Sequence, residues 1–384
     1  MLEAYLDNSA TTRPFPRVVA AMQEALEECW YNPSALYKPA LEAEKKVAAA
    51  REVCLKAVNA QGQRLIFTSC GTEADNLAIL GHLRGVRQPG RVLILCVEHP
   101  AVLTCAEEIT RMGHRVEEIP VTAKGTADLD WLEAHLDTDV RMICCMQVNN
   151  ESGAIQPLME ISRLRDAKCP EAAFHVDGVQ GFLRTPLDFR ALHLQSYAFS
   201  AHKIHGPKGV GGLILEKSFK VAPILHGGGQ EDGYRSGTEN TPGILGLGEA
   251  VRAYPKDGPA EMMANKRLLW QLIQERIPSA KLNGPELDDP ACAPHILNVS
   301  FPPVRSQTML FALEGDGIYV SSGSACSSRK QKLSSVLTAM GLSTERIDSA
   351  LRFSLCPGLT AEEMTYTADR LAAQYQVLSR FVRR

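Results

Sequence analysis

The sequence predicts an α/β fold: a mostly parallel sheet with helices on both faces, followed by a smaller α+β domain. Three observations carry that expectation. The chain has 384 residues, enough for two domains and a sizeable core. Between about residues 60 and 220, short β-rich runs alternate with helical stretches. Beyond the turn-rich YPKDGP (254–259) comes a helical run from about 260 to 277, then the strand-like HILNVSF (295–301) and a C-terminal helix over about 361–381. The candidate strands of the large sheet are RLIFT (64–68), RVLILCV (91–97), HRVEEIPV (114–121), VRMICCMQV (140–148), AAFHVD (172–177), SYAFS (196–200) and GVGGLILE (209–216). Amphipathic runs such as LMEISRLRDA (158–167) lie between them.

Composition narrows the class of function. A net charge of -3 gives no reason to expect direct contact with nucleic acid or a membrane surface. The most apolar runs are far shorter than the roughly 20 residues of a membrane span, and MLEAYLDNSATT does not read as a secretory signal. Eleven cysteines, an odd number without CxxC pairs, argue for reduced thiols in a cytoplasm and against a disulfide framework or zinc site. Adjacent Cys144 and Cys145 would point to opposite faces of a strand, as core. The run SSGSACSS (321–328) is too small and polar for a core and reads as a mobile loop that carries one thiol, Cys326.

Ligands of open α/β sheets bind beyond the carboxyl ends of the strands, so residues that follow strands take the functional reading first. Lys203 follows SYAFS in SAHKIHGPKG (200–209), flanked by His202 and His205. It is a solvated surface residue or a Schiff-base lysine, made nucleophilic by desolvation or nearby cations. Ser200 and His202 stand beside it as donors to a phosphate. Asp177 ends AAFHVD, where a carboxylate caps a helix or meets a cation. The cation reading is a protonated pyridine nitrogen, which lets pyridoxal phosphate (PLP) act as an electron sink. In TSCGTEADN (68–76), Gly71 and Thr72 open a helix whose free N–H groups form a phosphate cradle or a plain cap. His99 is placed to stack on a flat ring and move a proton, or to serve structure alone. Asn149 and Asn150 end another strand as ligands or as a turn. A PLP site unites these strand-end residues.

The motifs YLDNSATT (5–12), NPSALY (32–37), TSCGTEADN, EH (98–99), VNNESG (148–153), HVDGVQ (175–180), SAHKIHGPKG, HGGGQEDGYRSGTEN (226–240), SSGSACSS and LRFSL (351–355) follow one another over essentially the whole chain. In content and order they resemble the cysteine desulfurases of the NifS/IscS type, in the class-V aminotransferase group. The resemblance implies a PLP-dependent transferase of fold type I. Its large domain, residues 14–255, would hold a seven-stranded sheet, and residues 1–13 and 256–384 would form the small domain. It implies that Lys203 binds PLP covalently and moves protons, that Asp177 pairs with the pyridine nitrogen and that His99 stacks on the ring. Asn150 and Gln180 would lie near the ring hydroxyl, and Gly71, Thr72, Ser200 and His202 around the phosphate. Thr238 would reach the phosphate across a homodimer interface. Arg352, with Asn32, would hold the carboxylate of L-cysteine, a task suited to a guanidinium.

The resemblance also accounts for Cys326. As thiolate it would attack the sulfur of bound L-cysteine and become a persulfide for an acceptor protein, with alanine released. The acceptor stays open among iron–sulfur scaffolds, tRNA thiolation enzymes and cofactor biosynthesis. Selenocysteine or C–S lyase activity is the neighbouring alternative, and a non-catalytic sulfur-relay scaffold the alternative of another class. Tyr37, Cys70, Gly178 and Cys356 depart from the family pattern, where histidine, a small residue, alanine and glycine are common. Cys356 reads as a second sulfur handler or as a small buried residue. Arg329, Lys330 and Lys332 make the stretch after Cys326 basic, which suits an acidic acceptor surface.

Overall fold

The structure, a computed structural model, describes residues 2–323 and 333–381. Cys326, Arg329, Lys330 and Lys332 lie outside the described residues. The chain opens with β1 (Ala4–Tyr5) and then builds β2 (Arg64–Thr68), β3 (Arg91–Leu95), β4 (Arg115–Ile119), β5 (Val140–Cys144), β6 (Ala173–Asp177), β7 (Ser196–Ser200) and β8 (Gly211–Leu215). Strands β2 to β8 form one seven-stranded sheet in the order β2-β8-β7-β6-β5-β3-β4. The pairs from β7 through to β4 are parallel, and β8 runs antiparallel to both β7 and β2.

Every position of β3, β6, β7 and β8 is buried, as it must be when helices cover both faces. Cys144 packs in the apolar layer of Ile79, Ile94 and Ile109, and Cys145 in that of Leu93, Phe174 and Leu247. The two thiols therefore sit on opposite sides of the sheet. Strand order reverses between β3 and β5, which opens a crevice at their carboxyl ends. His99 follows β3, Asn150 follows β5 and Asp177 ends β6, so topology delivers all three to that crevice.

The remainder builds β9 (Lys281–Asn283), β10 (Ile296–Ser300), β11 (Ile318–Tyr319) and β12 (Ala350–Ser354). An antiparallel sheet runs β12-β10-β9, while β11 pairs in parallel with β1. The helices Gly258–Arg276 and Ala361–Leu378 pack with this sheet around Leu6, Leu269, Leu297, Phe353 and Leu371. Pro259 suits the first turn of one helix, and a Thr360–Glu363 capping box starts the other. The last turn, Ser379–Phe381, is a 3-10 helix rather than the expected continuation.

Gly178 has a steric reason to be glycine. A Cβ there would fall 2.0 Å from Cζ of Tyr197, whose hydroxyl donates to Gln147 Oε1 at 2.7 Å. A Cβ at Gly181 would fall 2.1 Å from Cδ of the same Gln147. The turn after β6 thus packs bare backbone against a ring and an amide, which fixes Asp177 and Gln180. Gly178→Ala is expected to cost about 1–3 kcal/mol of stability through overpacking. A thermal melt checks this, and an unchanged midpoint contradicts it.

Candidate active site

A cavity of about 330 Å³ lies at the switch point, within the size range of small-molecule sites. Ser9, Gly71, Thr72, His99, Asn150, Asp177, Gln180, Ser200, His202, Lys203 and Arg352 all line it. Lys203 ends the short turn Ala201–Lys203 that follows β7. Its Nζ donates to the carbonyls of Ser9 at 2.5 Å and Ala10 at 2.8 Å. Burial strips water from the ammonium, and the Arg184 and Arg352 guanidinium groups repel it. Together these lower its pKa to about 7, against the weaker pull of Asp7 and Asp177.

Three carboxyl groups form the floor. Asp177 accepts from the backbone N–H of Val179 at 2.8 Å, and burial raises its pKa, with the nearby Asp75 carboxylate adding to the rise. Asp75 is itself pushed up to about 8 by burial and lies 3.2 Å from His175 Nε2. Burial holds that imidazole neutral by lowering its pKa to about 4. Glu98 accepts from the backbone N–H of Met146 through one oxygen, and its other buried oxygen has no partner among the described residues. Its pKa is raised well above the usual range, by burial first and Asp177 second. Such a floor favours any cation placed on it. His99 caps the helix Pro100–Leu103, its Nδ1 accepting from the Ala101 N–H at 3.1 Å, so the neutral ring carries its proton on Nε2. Burial, and then Lys203, lower its pKa against the pull of Asp177.

At the other end, the helix Gly71–Leu83 begins at the cavity with Cys70 as its N-cap. A Cβ at Gly71 would fall 2.5 Å from Cγ2 of Val179, so the backbone can approach only as glycine. Thr72 is exposed in the first turn. The Ser200 hydroxyl is buried without a partner among the described residues, and burial lowers the His202 pKa to about 4, its Nδ1 lying 3.2 Å from the Thr11 hydroxyl. Arg352, on β12, donates to Asp7 at 2.7 Å and to the Asn150 carbonyl at 2.8 Å, while its buried Nε has no partner among the described residues. Gln180 donates to the Ser9 carbonyl at 3.0 Å.

Two expected site residues are not brought to this cavity within one chain. Asn32 is exposed, and its side-chain oxygen accepts from the Ser34 N–H at 3.0 Å. Thr238 is exposed in the loop that precedes the helix Thr241–Ala253. Cys356 does not line the cavity; burial pushes its thiol up to about 12, so it stays protonated at neutral pH. The structure adds Asp75, Glu98, Asp7, Arg184 and the Ser9 and Ala10 carbonyls. A signal existed for Asp75, an acid among the apolar Ala74, Leu77 and Ala78 of its helix, and for Arg184, an arginine in the run GFLRTP.

These residues fit a phosphorylated, cationic ring bound through an amine. The glycine-lined helix start and the orphaned Ser200 hydroxyl suit a phosphate, and the carboxyl floor suits a ring nitrogen that carries a proton. The neutral amine of Lys203 suits covalent attachment.

Comparison with known proteins agrees with this chemistry. The family model of the aminotransferases of class V matches residues 4–366. A cysteine desulfurase of Trichormus azollae is 38% identical over 355 residues, covering 92% of this chain and 88% of that protein. A cysteine desulfurase IscS of Clostridium botulinum is 37% identical over 373 residues, covering 96% and 93%. Among solved structures, a NifS-like protein superposes with a TM-score of 0.90 at 33% identity, over 98% of this chain and 100% of that one. A NifS-like protein from Rickettsia africae does so with a TM-score of 0.84 at 28% identity, over 98% and 100%. The chain belongs to the class-V aminotransferase family, among its cysteine desulfurases. Enzymes of this family depend on PLP. No helix among the described residues is long and apolar enough to cross a membrane.

The Lys203 environment gives a pH prediction. Burial penalises the charged form, so the reactive neutral amine is present above about pH 7 and is lost as pH falls through that value. Peptide mass spectrometry of the protein freed of PLP, after brief treatment with an amine reagent, should show half-maximal labelling of Lys203 near that pH. Labelling that begins only near the ordinary lysine value of about 10.4 contradicts the desolvated amine.

Proposed function

We propose that the protein is a cysteine desulfurase that converts L-cysteine to L-alanine and moves the sulfur onto Cys326 as a persulfide. The observation that carries this reading is the desolvated Lys203 amine, set between a carboxyl floor and an arginine whose Nε has no partner among the described residues. Lys203 would hold PLP, with Asp177 at the ring nitrogen, His99 on the ring face, Asn150 and Gln180 near the ring hydroxyl, and Gly71, Thr72, Ser200 and His202 about the phosphate. Bound there, PLP supplies an electron sink for bonds broken at the substrate Cα and Cβ.

The remaining steps belong to the chain. Arg352 binds the substrate carboxylate, with Asp7 and the Asn150 carbonyl fixing its fork. Lys203 moves the proton at Cα. Cys326 attacks the substrate sulfur; the new S–S bond forms as the C–S bond breaks, and Cβ takes a proton to give alanine. The described flanks of the Cys326 segment support this role. Ser321 pairs through its backbone with Arg352 at 3.1 and 2.8 Å, and Ser334 donates to Glu151 at 2.6 Å. Ser335 and Val336 line the cavity. In sequence, Cys326 lies three residues beyond Gly323, between these two flanks.

A homodimer belongs to the same reading. Trp30, Leu36 and Tyr37 are 66%, 92% and 53% exposed, an apolar area that a second copy would cover. Thr238, exposed and not lining its own chain's cavity, is then available to the partner's phosphate site, and Asn32 is proposed to complete a carboxylate site only in the dimer. A protein with an acceptor thiol takes the sulfur.

Lys203→Ala should lose covalent PLP, seen as loss of the visible absorption band, and slow alanine release by at least about 100-fold. Alanine at the parent rate would overturn the mechanism. Cys326→Ala should keep the band but form no persulfide detectable by mass spectrometry. Full persulfide yield on another cysteine would remove Cys326 from the nucleophile's role.

A further inference from the structure

Arg184 is the largest fully buried side chain of the protein's described residues, at 1% exposure. Among the described residues no carboxylate pairs with it. Its Nη1 donates to Gln180 Oε1 at 2.9 Å, and its Nη2 donates to the Asn8 carbonyl at 3.3 Å and, closely, to the carbonyl of Lys203. A buried guanidinium without a counter-charge is costly, and neutral carbonyls offset that cost only in part. The three groups it donates to bear on the Lys203 amine, and the Tyr254 hydroxyl lies near the guanidinium as well. Asn8 precedes Ser9 and Ala10, whose carbonyls hold Nζ, and Gln180 fixes the Ser9 carbonyl from the other side.

We propose that Arg184 is a positioning residue for Lys203. It anchors the Lys203 main chain and the carbonyls that hold Nζ, and it sets a permanent positive charge against the amine. The proposal deepens the reading of Lys203 as the PLP lysine and rests on it.

The charges around Nζ divide by element. Arg352 on β12 acts with Arg184. Asp7 in the N-terminal loop and Asp177 at the end of β6 act against it. His99 and His202 are held neutral by burial, so at neutral pH they add no charge. With two carboxylates favouring the ammonium, a second fixed cation beside Arg352 helps to keep the amine free of its proton.

The test is amine labelling of Lys203 against pH in the full chain freed of PLP, compared across Arg184 variants. Arg184→Met should raise the labelling midpoint by about one pH unit, a roughly fivefold drop in labelling at pH 7. Arg184→Lys keeps the charge and should keep the parent midpoint. If Arg184→Met does not fold, Arg184→Gln retains a donor for the Lys203 carbonyl and carries the same expectation. An unchanged midpoint in the neutral variant overturns the proposal, as does an equal rise in Arg184→Lys, which a purely structural brace would produce. Because this readout needs no cofactor, a parent protein that fails to bind PLP would refute the proposed function without touching this result.

Discussion

The loop from Asp7 to Thr12 is the constraint on which the site depends. On one side Asn8 donates to the Ser354 carbonyl at 3.0 Å, and the Ser9 N–H donates to the Ser354 hydroxyl at 2.9 Å. On the other, Thr12 donates to the His202 carbonyl through both its N–H and its hydroxyl. Between these anchors the loop supplies the two carbonyls that hold Lys203 Nζ and the carboxylate that holds Arg352. The extreme N-terminus thereby joins the C-terminal strand β12 to the turn after β7. The first strand and its loop could not be removed without releasing the lysine and the arginine together.

Given that clamp, desolvation sets the chemistry. The site separates an acidic floor of Asp75, Glu98 and Asp177 from a basic rim of Lys203, Arg184 and Arg352. Burial pushes the three carboxyl groups, Lys203 and Arg184 toward their neutral forms unless a partner of opposite sign arrives. The floor is ready for a cationic ring, Arg352 for a carboxylate, and the helix start at Gly71 with Ser200 for a phosphate. The surplus charges match an amino acid bound with PLP, and such a ligand would give partners to Ser200 Oγ and Arg352 Nε, which have none among the described residues.

Much of this arrangement was legible in the sequence. The alternation of β-rich and helical runs located all seven strands of the large sheet, and the strand-end rule drew attention to Lys203, Asp177 and His99. The strands are shorter than their apolar runs. Val97 and residues Cys145 to Val148 leave the ladder to line or support the cavity while staying buried, so apolar character alone overstated β3 and β5. Pairings between distant segments left little trace. Nothing local to Glu98 shows that it will face Asp177, and nothing near Arg184 shows that it will reach Asn8. Gly178 read as a departure from a family pattern and became intelligible only beside the ring of Tyr197. Asn32 and Thr238 carry family motifs, yet a single chain leaves both exposed.

The most direct measurement is the visible spectrum of the purified protein before and after L-cysteine is added, with alanine assayed in the same samples. A yellow protein whose absorption band shifts on adding L-cysteine, and which releases alanine, is the predicted result. A protein that stays colourless after PLP is supplied and yields no alanine would contradict the account and leave a sulfur-relay scaffold as the reading to pursue.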